Sequence, residues 1–313
     1  MWAGDRSAEA WDDDAAMRIV SLTPSATEIV YALGLGDQLV GRTHRCDFPQ
    51  DVVDVPVVTV SDPDAPGRSL EGALLAKLEP DLVLTDGSED HPLVDYSEIS
   101  AVVGGLARET TLVALAPYTI EGILNSISTV GAYTEAEYEA VGLVEVLRER
   151  LDTVGRAFGP DTRRAAVLES LDPLLAAGRW VPEMVRRAGG WELLGREGES
   201  STVTTWEALR EVEPQVLVLA LRDADAAGAE AALETAAVPA WFDELEAVRE
   251  GEFFAVDGRG LFSRPGPRVF EGIAVLAELF EPEIYAGTGP VESWLPLAPL
   301  GIAGRHLSEP PAD

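Results

Sequence analysis

Residues Thr134 to Phe158 read TEAEYEAVGLVEVLRERLDTVGRAF. Apolar side chains recur there at helical spacing and no proline interrupts them, so the stretch predicts one long helix. Thr134 with Glu137 forms a capping box, in which a hydroxyl and a carboxylate satisfy the first free N–H groups. At 1.5 Å per residue such a helix measures about 35 Å, the height of a small domain. The spacing therefore predicts a rigid connector over residues 134–160, between two separate α/β units.

The chain alternates strands and helices on both sides of it. RIVSL (18–22) reads as a short buried strand and PSATEIVYALG (24–34) as the helix after it, with Ser25 and Glu28 as a second capping box and Gly34 as the left-handed stop. DQLVGRT (37–43), VPVVTV (55–60), DLVLT (81–85) and TLVAL (111–115) read as further strands, with SLEGALLAKLEP (69–80) as a helix ended by Pro80. Strands separated by helices predict a mostly parallel sheet. Beyond the connector the rhythm resumes, and one device recurs: a short helix, then Glu-Pro, then an apolar strand. LLAKLEPDLVL (74–84) and ALREVEPQVLVL (208–219) share it, which predicts two similar lobes. The expected units are an acidic disordered tail at 1–16, an α/β lobe at 17–133, the connector, a second α/β lobe at 161–285, and a Pro- and Gly-rich tail at 286–313.

Composition narrows the function. The chain has 313 residues, 46% of them hydrophobic, enough for two cores, and a formal net charge of -32. Phosphate-rich partners are repelled by such a surface, so neither nucleic acid nor an anionic membrane is expected as a partner. Lys77 is the only lysine, and acidity of this kind predicts a halophilic protein whose self-repulsion is screened in concentrated salt. The single cysteine, Cys46, forms no internal disulfide, and no run of apolar residues is long enough to span a bilayer. MWAGDRSAEAWDDDAA (1–16) lacks the apolar core of a secretion signal, so the chain as written is expected in the cytoplasm, and on the extracytoplasmic face if its natural N-terminus is longer.

Four motifs in order carry a resemblance: RIVSLTPSATEIVYALGLGDQLVGRTHRCDFP (18–49), LEPDLVLT (78–85), AGRWVPEMVRRAGG (177–190) and FSRPGPR (262–268). From about Met17 to Glu283 the chain resembles the cobalamin-binding substrate-binding proteins of ABC importers, within the iron-siderophore and cobalamin periplasmic-binding-domain family. The resemblance implies two Rossmann-like lobes with mostly parallel sheets bridged by one long rigid helix, the class III or helical-backbone architecture. It implies a corrinoid, cobalamin or a relative, clamped in the cleft between lobes, with no catalysis and no other cofactor required. A ferric-siderophore receptor and a corrinoid-processing enzyme are the alternatives, although no nucleophile elbow or phosphate loop supports the latter. It also implies a monomer docking on the importer's membrane component through one glutamate per lobe. Counting back seven residues from the helix-ending proline gives Glu207 in the second lobe; the same count gives Ala73 in the first, where Glu71 is the nearest substitute. Aromatic residues of the family's pocket align with Arg45, Ala65 and Asp86, which implies a more polar pocket here.

In such sheets the loops after parallel strands line the cleft. Pro24 and Ser25 lie after the first strand, where free N–H groups suit a ligand's phosphate, amide or carboxylate; Ser25 serves equally well as a plain helix cap. In THRCDFP (43–49), His44 and Arg45 are the expected ligand contacts and Cys46 a small buried hydrophobe. A metal clip is incomplete, because the remaining histidines are His91 and His306, so no dedicated metal site is expected. A neutral His44 imidazole has the chemistry to ligate a cobalt already held by a corrin ring. The resemblance also implies Asp86, in the turn after DLVLT, as a ligand contact. Trp180 either stacks on a flat macrocycle or fills the core. Phe262 and Arg264 lie on a rigid Pro-Gly loop, Arg264 facing ligand amides or a phosphate.

Overall fold

The computed structural model describes residues 16–61, 68–87, 94–155 and 162–301. The acidic segment, Ala65, His91, His306 and the end of the expected connector lie outside the described residues. The first lobe runs β1 (Ile19–Ser21), α1 (Pro24–Ala32), β2 (Leu39–Arg42), β3 (Thr59–Ser61), β4 (Arg68–Leu70), α2 (Gly72–Leu78), β5 (Leu82–Asp86), α3 (Tyr96–Gly104) and β6 (Thr111–Leu115). Its sheet has the order β2-β1-β5-β6 and every pairing is parallel. The expected strand at 55–60 stays out of that sheet. Only Val57 bridges to Arg42, while β3 turns back antiparallel on β4 as a separate ribbon.

The connector differs from the expectation. The expected helix is present as α5 (Glu137–Gly155), 19 described residues and about 28 Å, but a second helix, α4 (Ile120–Tyr133), precedes it and shares the crossing. Thr134 closes α4, its hydroxyl donating back to the Val130 carbonyl at 2.8 Å, so the capping box with Glu137 does not form. Glu135 takes a left-handed conformation, φ 57°, and turns the chain. The two helices pack closely because residue 131 is glycine: a Cβ there would stand 2.5 Å from that of Ala140. α4 packs on α1 of the first lobe, and its first N–H, from Ile120, donates to Glu183 of the second lobe at 2.9 Å. The crossing is thus made by the α4–α5 pair.

The second lobe comprises β7 (Arg163–Leu171), β8 (Leu174–Ala176), α6 (Val181–Arg187), β9 (Gly190–Glu192), β10 (Thr202–Val203), α7 (Trp206–Val212), β11 (Val216–Leu219), α8 (Ala226–Thr235), α9 (Glu246–Arg249), β12 (Phe253–Val256), α10 (Val269–Phe280), α11 (Pro282–Tyr285) and β13 (Trp294–Pro296). Its sheet, β10-β8-β7-β11-β12-β13, keeps a parallel centre between antiparallel edges, and β9 joins β7 in parallel. β13 pairs with β12, so residues expected as a tail complete this sheet. The Glu-Pro device recurs in three dimensions. Glu79 and Glu213 end α2 and α7 with φ 44° and 46°, and the strand that follows each enters the middle of its sheet.

One apolar core passes through both lobes, from Ile19 and Ile29 through Ile123, Ile127 and Val130 of α4 to Val167, Met184 and Phe280. Shared burial of this kind resists wide opening.

Candidate ligand-binding cleft

The positioning of the cleft begins with buried Arg42, at the end of β2. Its guanidinium donates to the carbonyls of Thr43, Cys46, Val53 and Val55, fixing the loop from 43 to 55. Within that loop Cys46 turns inward: its sulfur accepts from the Thr27 hydroxyl at 3.0 Å, and burial pushes its thiol pKa up. Arg45 turns toward the second lobe and pairs with Asp223. His44 turns aside. Its Nδ1 and backbone N lie 2.9 and 3.1 Å from the Thr59 hydroxyl, and the ring is not among the cleft-lining groups.

α1 starts at Pro24 with Thr23 in the capping position; Thr23 and Ser25 hydroxyls lie 3.3 Å apart, and neither caps the helix. The Ser25–Glu28 capping box is therefore absent, because the Glu28 carboxyl points instead at Arg264 and Arg268 of the second lobe.

Between the lobes lies a cleft of about 1190 Å³. Pro24, Ser25, Arg45, Asp86, Trp180, Phe262 and Arg264 all line it, so seven of the eight expected contacts converge and His44 alone does not. Of these seven, Trp180 takes the second of its two expected roles and Arg264 takes other work than expected. Trp180 is 2% exposed, with its indole N–H donating to the Phe262 carbonyl at 2.8 Å, which makes it a core residue under the cleft wall rather than an open stacking platform. Arg264 is 8% exposed, its terminal nitrogens donating to Asp47 and, at 3.2 Å, to the Arg45 carbonyl. It joins the lobes instead of reaching for a ligand.

Further cleft residues escaped sequence reasoning. Arg222 and Asp223 follow β11, and Glu169 lies on β7; Arg222 pairs with Glu169 and reaches the Ser201 hydroxyl at 2.9 Å. The rule that places the loop after β2 on the cleft also places Arg222 and Asp223, after β11, there. Arg179 lies over the rings of Tyr118 and Trp180, 5.8 and 5.7 Å from their centroids, with its own backbone held left-handed at φ 56°. Its carbonyl accepts from Gly198 N at 2.8 Å, and its N–H donates to Glu199, which hold that conformation. With Arg259, five arginines line the cleft among the described residues, in a chain carrying -32 overall. Asp86, Glu169, Asp172 and Asp223 line it too, so the wall is polar and close to charge-balanced where the chain as a whole is strongly acidic.

Glu207, in the first turn of α7, and Glu71, in front of α2, are both exposed, one on each lobe. No described helix is long and apolar enough to cross a membrane.

Comparison with known proteins agrees with this architecture. A protein 28% identical over 86% of this chain and 81% of its own length is an uncharacterized ABC transporter substrate-binding lipoprotein, YvrC, of Bacillus subtilis. A Vitamin B12-binding protein of Vibrio parahaemolyticus is 24% identical over 84% of this chain and 89% of its own. Among solved structures, the periplasmic Vitamin B12 binding protein BtuF of Vibrio cholerae superposes with a TM-score of 0.66 at 22% identity, over 85% of this chain and 97% of that one, and so shares the fold. The family model described as periplasmic binding protein matches residues 19–259. Two α/β lobes, a helical crossing and a cleft at the strand ends complete the assignment: the chain belongs to the periplasmic binding protein family, and is a solute-binding protein.

Proposed function

We propose that the protein binds a corrinoid, cobalamin or a close relative, in the interlobe cleft without altering it chemically. The size of the cleft carries this reading: at about 1190 Å³ it exceeds the roughly 300–1,000 Å³ usual for small ligands, and both lobes contribute walls, as a macrocycle requires. The Vitamin B12-binding relatives support the choice of ligand. No catalytic residue and no further cofactor enter this reading. The solute then passes to the membrane component of an ABC importer, which receives it with the protein as a monomer docked through Glu207 and Glu71. Work of that kind takes place outside the cytoplasmic membrane, and the relatives lend the cytoplasmic expectation no support.

A ferric siderophore is the second reading, favoured by one observation: arginines of both lobes line the cleft, where a chelate's anionic donors would compete for Arg45 and Arg222 with Asp223 and Glu169.

The protein, in molar KCl, is mixed with cyanocobalamin, aquocobalamin, cobinamide or a ferric siderophore and separated from free ligand by gel filtration. Retained corrin absorbance is expected; retention of the ferric chelate alone would replace the first reading by the second. With aquocobalamin the bound spectrum is expected to be the same in wild type and His44→Ala, because the imidazole faces Thr59. A spectral change lost in His44→Ala would show cobalt ligation after all.

A further inference from the structure

The lobes meet along a charged seam beside α1. From the second lobe Arg264 donates to the Asp47 carboxylate, Nη2 to Oδ2 at 3.1 Å, and to the Arg45 carbonyl. Arg268 lies with its guanidinium 4.2 Å from the centroid of the Phe48 ring. Behind both sits Glu28 of α1, 3% exposed, with neither carboxyl oxygen in a well-formed hydrogen bond. The Pro265–Gly266 turn presses directly on it: a Cβ at Gly266 would come 3.2 Å from Glu28 Oε2 and 3.5 Å from the Ser25 carbonyl.

The charges around Glu28 are already committed. Arg264 Nη1 is 3.5 Å away but serves Asp47, which also has Arg259 at 4.0 Å. Arg268 Nη1 is 3.8 Å away but also faces Asp257 at 3.6 Å and Glu271 at 4.0 Å. The remaining neighbour able to titrate, Cys46, is a buried thiol. An ionised Glu28 would be one more carboxylate on arginines shared among several, in a site without water-facing surface, where desolvation outweighs attraction. Burial raises its pKa to about 7, the Arg268 and Arg264 charges offsetting this only in part.

We propose that Glu28 is a proton-operated latch on the lobe seam: as a neutral acid it lets the 263–268 loop lie flat on α1, and as a carboxylate it draws in water and loosens the lobes from each other. The latch acts whatever solute the cleft takes. The sign follows from the direction of the shift: an acid whose pKa is raised by packing stabilises the packed state fully below its unpacked value of 4.5, and that contribution is lost as pH rises through about 7.

The test compares wild type with Glu28→Gln, which mimics the neutral acid, from pH 5 to pH 8 in molar KCl. Wild type is expected to lose roughly 5 °C of Tm relative to the variant across this window and to level off above it. Because Cys46 is buried, spin labels can be placed selectively by Ala101→Cys on α3 and Glu230→Cys on α8. The interlobe distance distribution is expected to broaden with pH in wild type and to stay narrow with Glu28→Gln. Parallel Tm curves, or broadening equal in both proteins, would overturn the proposal. Should Glu28→Gln not fold, carbon-13 titration of the Glu28 carboxyl in the unaltered chain decides: a midpoint near 7 supports the latch, and one near 4.5 overturns it.

Discussion

Arg264 illustrates how a residue can line a cleft without being free to bind what enters it. Its guanidinium is buried and engaged with the opposite lobe, so its removal strands the Asp47 and Glu28 carboxyls. Arg264→Met is expected to cost about 2 kcal/mol in urea denaturation at pH 7, less than the roughly 3–5 kcal/mol of a wholly buried pair because Asp47 is half exposed. Arg264→Lys recovers only part of this, since a point charge cannot serve the carboxylate and the carbonyl in one plane. Burial alone would raise the Asp47 pKa, but the hydrogen bonds and charge of Arg264 outweigh it and hold the carboxyl below its ordinary 3.8. That contribution is present above 3.8 and lost as pH falls through the depressed value, so the stability difference between wild type and Arg264→Met should shrink on acidification below 3.8. At this scale the sequence was informative about position and poor about direction. The strand-end rule located Arg45 on the cleft, the family resemblance Asp86 and the Pro-Gly loop Arg264, and the strand-end rule applied after β11 also locates Arg222 and Asp223. Whether Trp180 faced a ligand or the core, and that His44 turned to Thr59, depended on side-chain directions that loop packing sets.

Among the elements, the Glu-Pro device was fully legible, because proline after a short helix forces the chain out of it. Its left-handed glutamates recur at Glu79 and Glu213, one per lobe. What was not legible is α4 itself, which precedes the connector expected from Thr134; the turn at Thr134–Ala136 contains neither proline nor glycine, and a left-handed glutamate leaves no mark in the sequence. Apolar spacing continues across it because both helices bury one face in the same core. The close approach at Gly131 gives this arrangement a direct check. Gly131→Leu should destabilise the protein by about 1–3 kcal/mol, since Ala140 and the Ala136 backbone leave no room for a side chain. Ala140→Gly in the same chain should recover part of that loss, measured as coupling in a double-mutant cycle of urea denaturation. Independent additivity would mean that α4 and α5 do not touch there.

For the whole molecule, two lobes and a shared cleft follow from the alternation of strands and helices, while the edge strand β13 was hidden in a Pro- and Gly-rich segment that carries no strand pattern. Charge acts at this scale as well. A chain at -32 repels itself, and the lobes are held together partly by arginine seams, so the net effect of salt depends on which term is larger. With self-repulsion spread over the entire surface and the Arg264 and Glu28 contacts buried from screening, Tm is expected to rise steadily from low salt to molar KCl. A Tm that falls with KCl would assign stability to the exposed ion pairs instead. A corrinoid held between the lobes is put to the test by calorimetric titration of cyanocobalamin into wild type and into Ser170→Trp, which fills the cleft from β7. The predicted result is one ligand per wild-type chain and at least tenfold weaker binding to the filled variant; no binding to wild type, or equal binding to both, would contradict it.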